Sequence, residues 1–167
     1  MKKYELTEET FTVFGKTLYR IRAVRDFGSV KTGEFGGYIE KEENLSHFGN
    51  AWISGDAWVY GDARVSGNAK VYGDARVSGN ARVFGNAEVF NTRHFFVQGP
   101  IGSRDGYVTF YRTKDDTVEV RCGCFSGSLQ EFVNQLEETH GGSRYEKEYK
   151  LAAELAKVCI RLEGESR

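Results

Sequence analysis

Between Gly49 and Phe90 the chain repeats one six-residue unit seven times without a slip: GNAWIS, GDAWVY, GDARVS, GNAKVY, GDARVS, GNARVF and GNAEVF. A period of six fits neither an amphipathic helix nor a plain alternating strand. It fits a coil in which each unit supplies one short strand and one corner. The β-branched residue (Ile53, Val59, Val65, Val71, Val77, Val83, Val89) follows an alanine (Ala51, Ala57, Ala63, Ala69, Ala75, Ala81, Ala87) by two places. On a strand that spacing puts both on one face. The Gly-Asn or Gly-Asp pair before them supplies the corner, because glycine tolerates positive φ and Asn or Asp tolerates left-handed geometry. Three such sides close a triangular coil, and stacked coils bury a column of valine and alanine that no single unit could bury. A disordered glycine-rich tract would not hold valine and alanine in register through seven units.

The outward positions then fall into columns. With three units per turn, Trp52, Lys70 and Glu88 share one side with Ser54, Tyr72 and Phe90. A second side carries Trp58 and Arg76 with Tyr60 and Ser78, and a third carries Arg64 and Arg82 with Ser66 and Phe84. Aromatic groups on so thin a rod need cover, and Trp, Tyr and Arg are the residues enriched at interface hot spots. Trp52, Trp58, Tyr60, Arg64, Tyr72, Arg76, Arg82 and Phe84 are therefore candidate oligomer or partner contacts, with self-association the favoured reading.

At 167 residues the chain can hold one domain or two small ones. A net charge of −1 argues against general nucleic-acid binding. No apolar run approaches membrane-spanning length, and the opening MKKYELTEET is polar, unlike a signal peptide. The three cysteines, Cys122, Cys124 and Cys159, form an odd set suited to free thiols in a reducing cytoplasm.

Three segments follow. Residues 1–26 hold strands Phe11–Phe14 and Thr17–Val24 around Gly15-Lys16, a hairpin capping the lower end of the coil, with Tyr19, Ile21 and Ala23 facing opposite to Leu18, Arg20 and Arg22. Residues 27–92 form the coil, with Val30, Ile39 and Leu45 as core positions of an imperfect first turn and an insertion near Ser46-His47. Residues 93–167 change pattern to three strands (His94–Gln98, Tyr107–Thr113, Thr117–Cys122) and two helices. The helices open on capping boxes, Ser128 with Glu131 and Ser143 with Glu146. The apolar stripes are Leu129, Phe132, Val133 and Leu136, then Tyr145, Tyr149, Ala152, Ala156 and Cys159.

The repeats resemble the hexapeptide motif of left-handed parallel β-helix proteins: aliphatic residue, small residue four places on, Gly-Asn/Asp corner. DFGSVKTGEFGGYIEKEENLS, the repeats and GPIGSRDGYVTFYR…CGCFSGSLQEF…ETHGG…YEKEY together resemble hexapeptide-repeat proteins of bacteriophages and prophages. The resemblance implies a mainly β fold: a short left-handed parallel β-helix followed by a small α+β unit with two C-terminal helices. It also implies side-by-side packing as a homotrimer. Among such proteins many are acyl- or acetyltransferases with a histidine base; here only His47 lies close to the coil, and the coils are few for a pantetheine groove.

The candidate binding site joins two glycine-rich segments, Gly99–Arg104 and Gly123–Ser128, the second opening into a helix N-terminus that favours an anion. Ser103, Arg104, Ser126 and Ser128 would converge on a phosphate or carboxylate, His140 would lie near, and Phe125, Tyr145 or Tyr149 would stack a ring. The alternative for the same residues is a capped helix between tight turns. A metal set of His94, Cys122, Cys124 and His140 lacks common zinc spacing. The expectation is a non-enzymatic, phage-type binding protein without cofactor, sequestering a small anionic, nucleotide-derived signal in counter-defence or blocking a host protein. The alternatives are an acyltransferase-like enzyme and a structural or assembly protein of a phage.

Overall fold

Two strands open the chain, β1 (Tyr4–Val13) and β2 (Lys16–Ala23), in a computed structural model that describes residues 1–163. Their turn, Phe14-Gly15, has both residues at positive φ (52° and 73°), the handedness that matches the twist of a hairpin. The hairpin starts at Tyr4 rather than Phe11. Its polar stretch ELTEET lies on a sheet edge with no buried face, so no alternation marked it as a strand. Leu18 also departs from expectation. Leu18 and Ile21 are both fully buried, because the register against the next strand shifts between Arg20 and Arg22 and changes which side chains face inward.

Strand β3 (Phe35–Ile39) links hairpin to coil, antiparallel to β2 on one side. The coil itself is seven two-residue strands: β4 (Trp52–Ile53), β5 (Trp58–Val59), β6 (Arg64–Val65), β7 (Lys70–Val71), β8 (Arg76–Val77), β9 (Arg82–Val83) and β10 (Glu88–Val89). They stack as three parallel ladders, β4-β7-β10, β3-β5-β8 and β6-β9, so each turn adds one rung to each side. The corner glycines from Gly49 to Gly85 all sit at positive φ. The inward valines and Ile53 are 0 % exposed, and each such side chain contributes about 1.5–3 kcal/mol relative to leaving it in water. Val30, Ile39 and Leu45 are buried as expected. Ile39 faces Val59 and Leu45 faces Val65, two residues further along than the spacing that pairs Ile53 with Val71, so His47-Phe48 is the insertion in the first turn.

After the coil come four antiparallel strands in sequential order, β11 (Phe95–Ile101), β12 (Gly106–Arg112), β13 (Val118–Cys122) and β14 (Phe125–Ser128), then α1 (Leu129–His140) and α2 (Arg144–Cys159). Strand β14 was not expected: FSGS carries two serines and a glycine, and only Phe125 faces the helices. The last four residues of the 93–167 segment lie outside the described residues. One face of this sheet (Val108, Phe110, Val120) packs on Phe132, Leu136, Ala152, Ala153 and Ala156 of the helices. The other face (Phe95, Val97, Tyr111) packs on the valine-alanine column. Coil, sheet and helices therefore form successive layers.

The two ends of the coil are closed by different chemistry. At the lower end the open rungs present carbonyls, and donors meet them. Lys3 Nζ donates to Ala51 O at 2.6 Å, Tyr4 OH donates to Leu45 O at 2.7 Å, and Asn44 Nδ2 donates to Ala63 O at 2.8 Å. At the upper end free N–H groups meet acceptors: Arg82 N donates to Thr109 Oγ1 at 2.9 Å and Phe90 N to His94 Nδ1 at 3.2 Å. The Arg112 guanidinium closes the Glu88 carbonyl at 3.2 Å.

Two predictions come from these contacts. Lys3 is fully buried without a carboxylate partner among the described residues, and burial, then the nearby Arg25 charge, lowers its pKa from 10.5 to about 8. A lysine pKa depressed on folding means the unfolded chain binds more protons between pH 8 and 10.5, so stability rises with pH across that window. Raising the pH from 7.5 to 9.5 should stabilise the native chain by about 2 kcal/mol more than Lys3→Met, as read by urea unfolding. Gly102 sits at φ 78° under Tyr149, whose ring a Cβ would overlap, and its N–H donates to Glu148 Oε2 at 2.7 Å. Gly123 has φ 56° but open space around it. Gly102→Ala should lower the unfolding free energy by about 3 kcal/mol and Gly123→Ala by about 1 kcal/mol.

Candidate functional site

The structure divides the expected ligand residues into separate places. Phe125, His140, Tyr145 and Tyr149 do gather, because β14 and the two helices meet there: His140 stacks toward Tyr149 at 6.4 Å and Tyr145 edges onto it at 6.0 Å. Phe125, His140 and Tyr149, but not Tyr145, line a cavity of about 130 Å³ with Cys122, Phe132 and Leu136. Among the described residues neither arginine nor lysine lines it, so its polar lining is Gln135, Thr139, His140 and the Tyr149 hydroxyl. Tyr149 faces the Cys122 thiol, and burial, then that thiol, push its pKa up to about 12; burial likewise raises Cys122. The cavity opens to the surface beside the exposed Gln135 and Thr139 of α1.

Ser126 and Ser128 lie apart from this cluster, whereas the turn bearing Ser103 and Arg104 adjoins it, since Gly102 packs directly against Tyr149. Ser103 and Arg104 are in the Gly102–Asp105 turn between β11 and β12. Ser128 pairs with Glu119 at the opposite end of the sheet, on the order of 15 Å away along the strands. The Ser128 end of the second glycine-rich segment lies away from the first because β14 carries the chain back before the helix begins. The helix N-terminus is also occupied by its own capping box: Ser128 Oγ accepts from Glu131 N at 3.1 Å, and Glu131 Oε2 accepts from Ser128 N at 2.7 Å. Ser126 falls opposite Arg121 on the strand, away from Phe125. Of the metal set, His94 is bonded to Phe90 N, Cys122 faces Tyr149 and Cys124 is exposed in the β13–β14 turn.

Most outward aromatics of the coil are covered by the same chain. Trp52 is 5 % exposed beneath Tyr4 and Phe27, so it is not the outward contact expected. Trp58 lies between Phe11 at 4.8 Å and the Arg76 guanidinium at 4.2 Å, and Tyr60 is half-buried. Tyr72 stacks on Phe90 at 5.1 Å and donates to Glu88. Phe84 lies under Arg121 at 4.4 Å.

One side stays open. Arg64 and Arg82 are direct partners on the β6-β9 ladder, and β13 brings Arg121 above them, so three guanidiniums form a column. Like charges on adjacent rungs repel. Burial, then Arg64 and then Arg121, lower the Arg82 pKa; Asp62 opposes this weakly. Among the described residues none of the three has a carboxylate at ion-pair distance, for Asp62 is held by Lys41 at 3.0 Å. The column borders a groove of about 400 Å³, lined also by Lys41, Glu43, Asp62 and Asn80. The sequence carried a signal for this side that was passed over. Arg64 and Arg76 follow Gly-Asp corners, whereas Arg82 alone among the coil arginines follows Gly-Asn. Arg121 carried no such signal, because only the packing of the sheet brings it there.

Among the described residues no helix is long and apolar enough to cross a membrane, and no group of three or more His, Cys, Asp or Glu is placed to hold a metal ion. No curated protein matches the chain. The family described as YdcK beta-solenoid repeat matches residues 57–73, 69–85 and 75–89. The middle of this chain is thus a short β-solenoid repeat, similar to that family over the coils that carry the arginine column.

Proposed function

We propose that the chain is a non-enzymatic binding protein that holds a small anion on the Arg64–Arg82–Arg121 side of its solenoid. One observation carries this reading: arginines paired on neighbouring rungs of one ladder, with Arg121 near them and no carboxylate at ion-pair distance among the described residues. Such a column is a standing electrostatic cost that an anion removes. The non-enzymatic part is supported by the histidines beside the coil. His47 and His94 each use Nδ1 to accept a backbone N–H, from Lys3 and Phe90. Burial lowers both pKa values, and His47 stacks on Tyr4 at 4.2 Å. Each is held as a fixed acceptor rather than presented as a base to a substrate.

The finer picture adds a left-handed winding, a homotrimer and a phage or prophage setting, as the resemblance of the repeats and the C-terminal run implies. In that setting the anion is a nucleotide-derived signal withheld from a host defence system. The place of binding moves from the helix N-terminus, which Glu131 fills, to the arginine column.

Isothermal titration with inorganic phosphate and pyrophosphate tests the reading. The native chain should bind, and saturating anion at a hundredfold excess over Kd should stabilise it by about 2.7 kcal/mol. Arg82→Gln should lose about 10- to 100-fold in affinity, the scale of one or two charged hydrogen bonds, with its far-UV spectrum unchanged. Equal affinity in Arg82→Gln and the native chain would refute the site.

A further inference from the structure

The groove beside the arginine column changes sign along its length. At its upper end stand Arg82, with Arg121 above it, and the neutral corner Asn80. One rung lower, Arg64 shares its unit with Asp62, whose carboxylate is bridged by Lys41 at 3.0 Å. Below that, Glu43 lies in the short 3-10 turn beneath Arg64, exposed and without an ion-pair partner among the described residues. An inorganic polyanion spread over this groove would gain at Arg82 and be repelled at Asp62 and Glu43. A ligand with a phosphate at one end and hydroxyl groups at the other suits both ends, since carboxylates accept hydrogen bonds from hydroxyls and guanidiniums donate to phosphate. The volume, about 400 Å³, lies in the range of small-molecule sites.

Resting on the anion-binding reading, we infer that the ligand is a sugar monophosphate, free or as the ribose phosphate of a nucleotide. Its phosphate lies on Arg82 and Arg121 beside the Asn80 amide, and its hydroxyls lie on Asp62 and Glu43. Asn80 is the residue that sets the site. The equivalent corners of the other coil arginines are aspartates, Asp62 before Arg64 and Asp74 before Arg76, which lie in the same units as their guanidiniums. Asparagine at this corner leaves Arg82 without such a neighbour and adds an amide donor.

The experiment is titration of the full chain with inorganic phosphate, ribose, ribose 5-phosphate, AMP and fructose 1,6-bisphosphate. Ribose 5-phosphate should bind at least tenfold tighter than inorganic phosphate and tighter than the bisphosphate, with ribose alone showing no heat. Glu43→Gln should cut the advantage of ribose 5-phosphate over phosphate to under threefold while phosphate affinity stays constant. Asn80→Asp should remove phosphate and ribose 5-phosphate binding together with the circular dichroism unchanged, because the same corner already takes aspartate at 56, 62 and 74. AMP binding at least as tightly as ribose 5-phosphate assigns the nucleotide as source; weaker binding assigns the free sugar phosphate. Phosphate and ribose 5-phosphate binding equally would overturn the sugar assignment and leave the anion site standing. No binding of either would overturn both.

Discussion

A stack of parallel coils cannot satisfy its own first and last rungs. Every interior rung finds partners above and below, as in the middle rung at β7, where Ala69 O accepts from Trp52 N and Lys70 N donates to Ala87 O. The terminal rungs have a neighbour on one side only. Left open they would cost about 1–3 kcal/mol for each buried unpaired group and would template pairing with other chains. The rest of this molecule answers that constraint. The hairpin and the first residues bring donors to exposed carbonyls, down to a lysine buried for the purpose. The four-stranded sheet brings a threonine and a histidine as acceptors, and an arginine that closes the last carbonyl.

The upper closure has a second consequence. The sheet face that covers the last coil must alternate its side chains, so Thr109 and Tyr111 point at the solenoid from β12 while Val108 and Phe110 point at the helices. On β13 the same alternation turns Arg121 toward the coil, where it rests on Phe84. The arginine column is therefore continued from the solenoid into the cap. A change that loosened the Thr109 contact would weaken the fold and displace the third guanidinium together, so the closure of the coil and the proposed site share one surface.

The coil was legible because each of its requirements falls on a fixed residue type. Valine and alanine fill a column too narrow for alternatives, and glycine at the corner must adopt positive φ. Both helix starts were legible for a similar reason: Ser128 and Ser143 accept the N–H groups of Glu131 and Glu146. Strand β14 was not legible, since FSGS packs one side chain and reads as a loop. That omission misplaced Ser128. Without β14 the glycine-rich segments fall at one end of the unit; with it, Ser128 moves to the far end. The burial of Trp52 was equally hidden, because its cover, Tyr4 and Phe27, comes from stretches whose own pattern is irregular.

The six-residue unit fixes the inside of the coil and leaves the outside unconstrained, so three sides built on one rule need not share a chemistry. What separates them is how each is covered. The side bearing Trp58 and Arg76 is overlaid by Phe11 and Tyr38 of the hairpin and its neighbour. The side bearing Trp52 and Glu88 is closed by Tyr4 and Phe27 below and by Phe90 with the Arg112 guanidinium above. Among the described residues the third side has no such overlay: Arg64 and Arg82 are exposed, and Phe84 is shielded by Arg121. If exposed charge were all that mattered, Arg76 would serve as well as Arg82. Their surroundings differ: Asp74 shares the unit of Arg76 and Trp58 lies beneath it, whereas Arg82 has Asn80 in its unit and the charges of Arg64 and Arg121 nearby. In the proposed site, the difference between a solvated arginine and one open to an anion is thus a single atom at the corner, amide nitrogen in place of carboxylate oxygen.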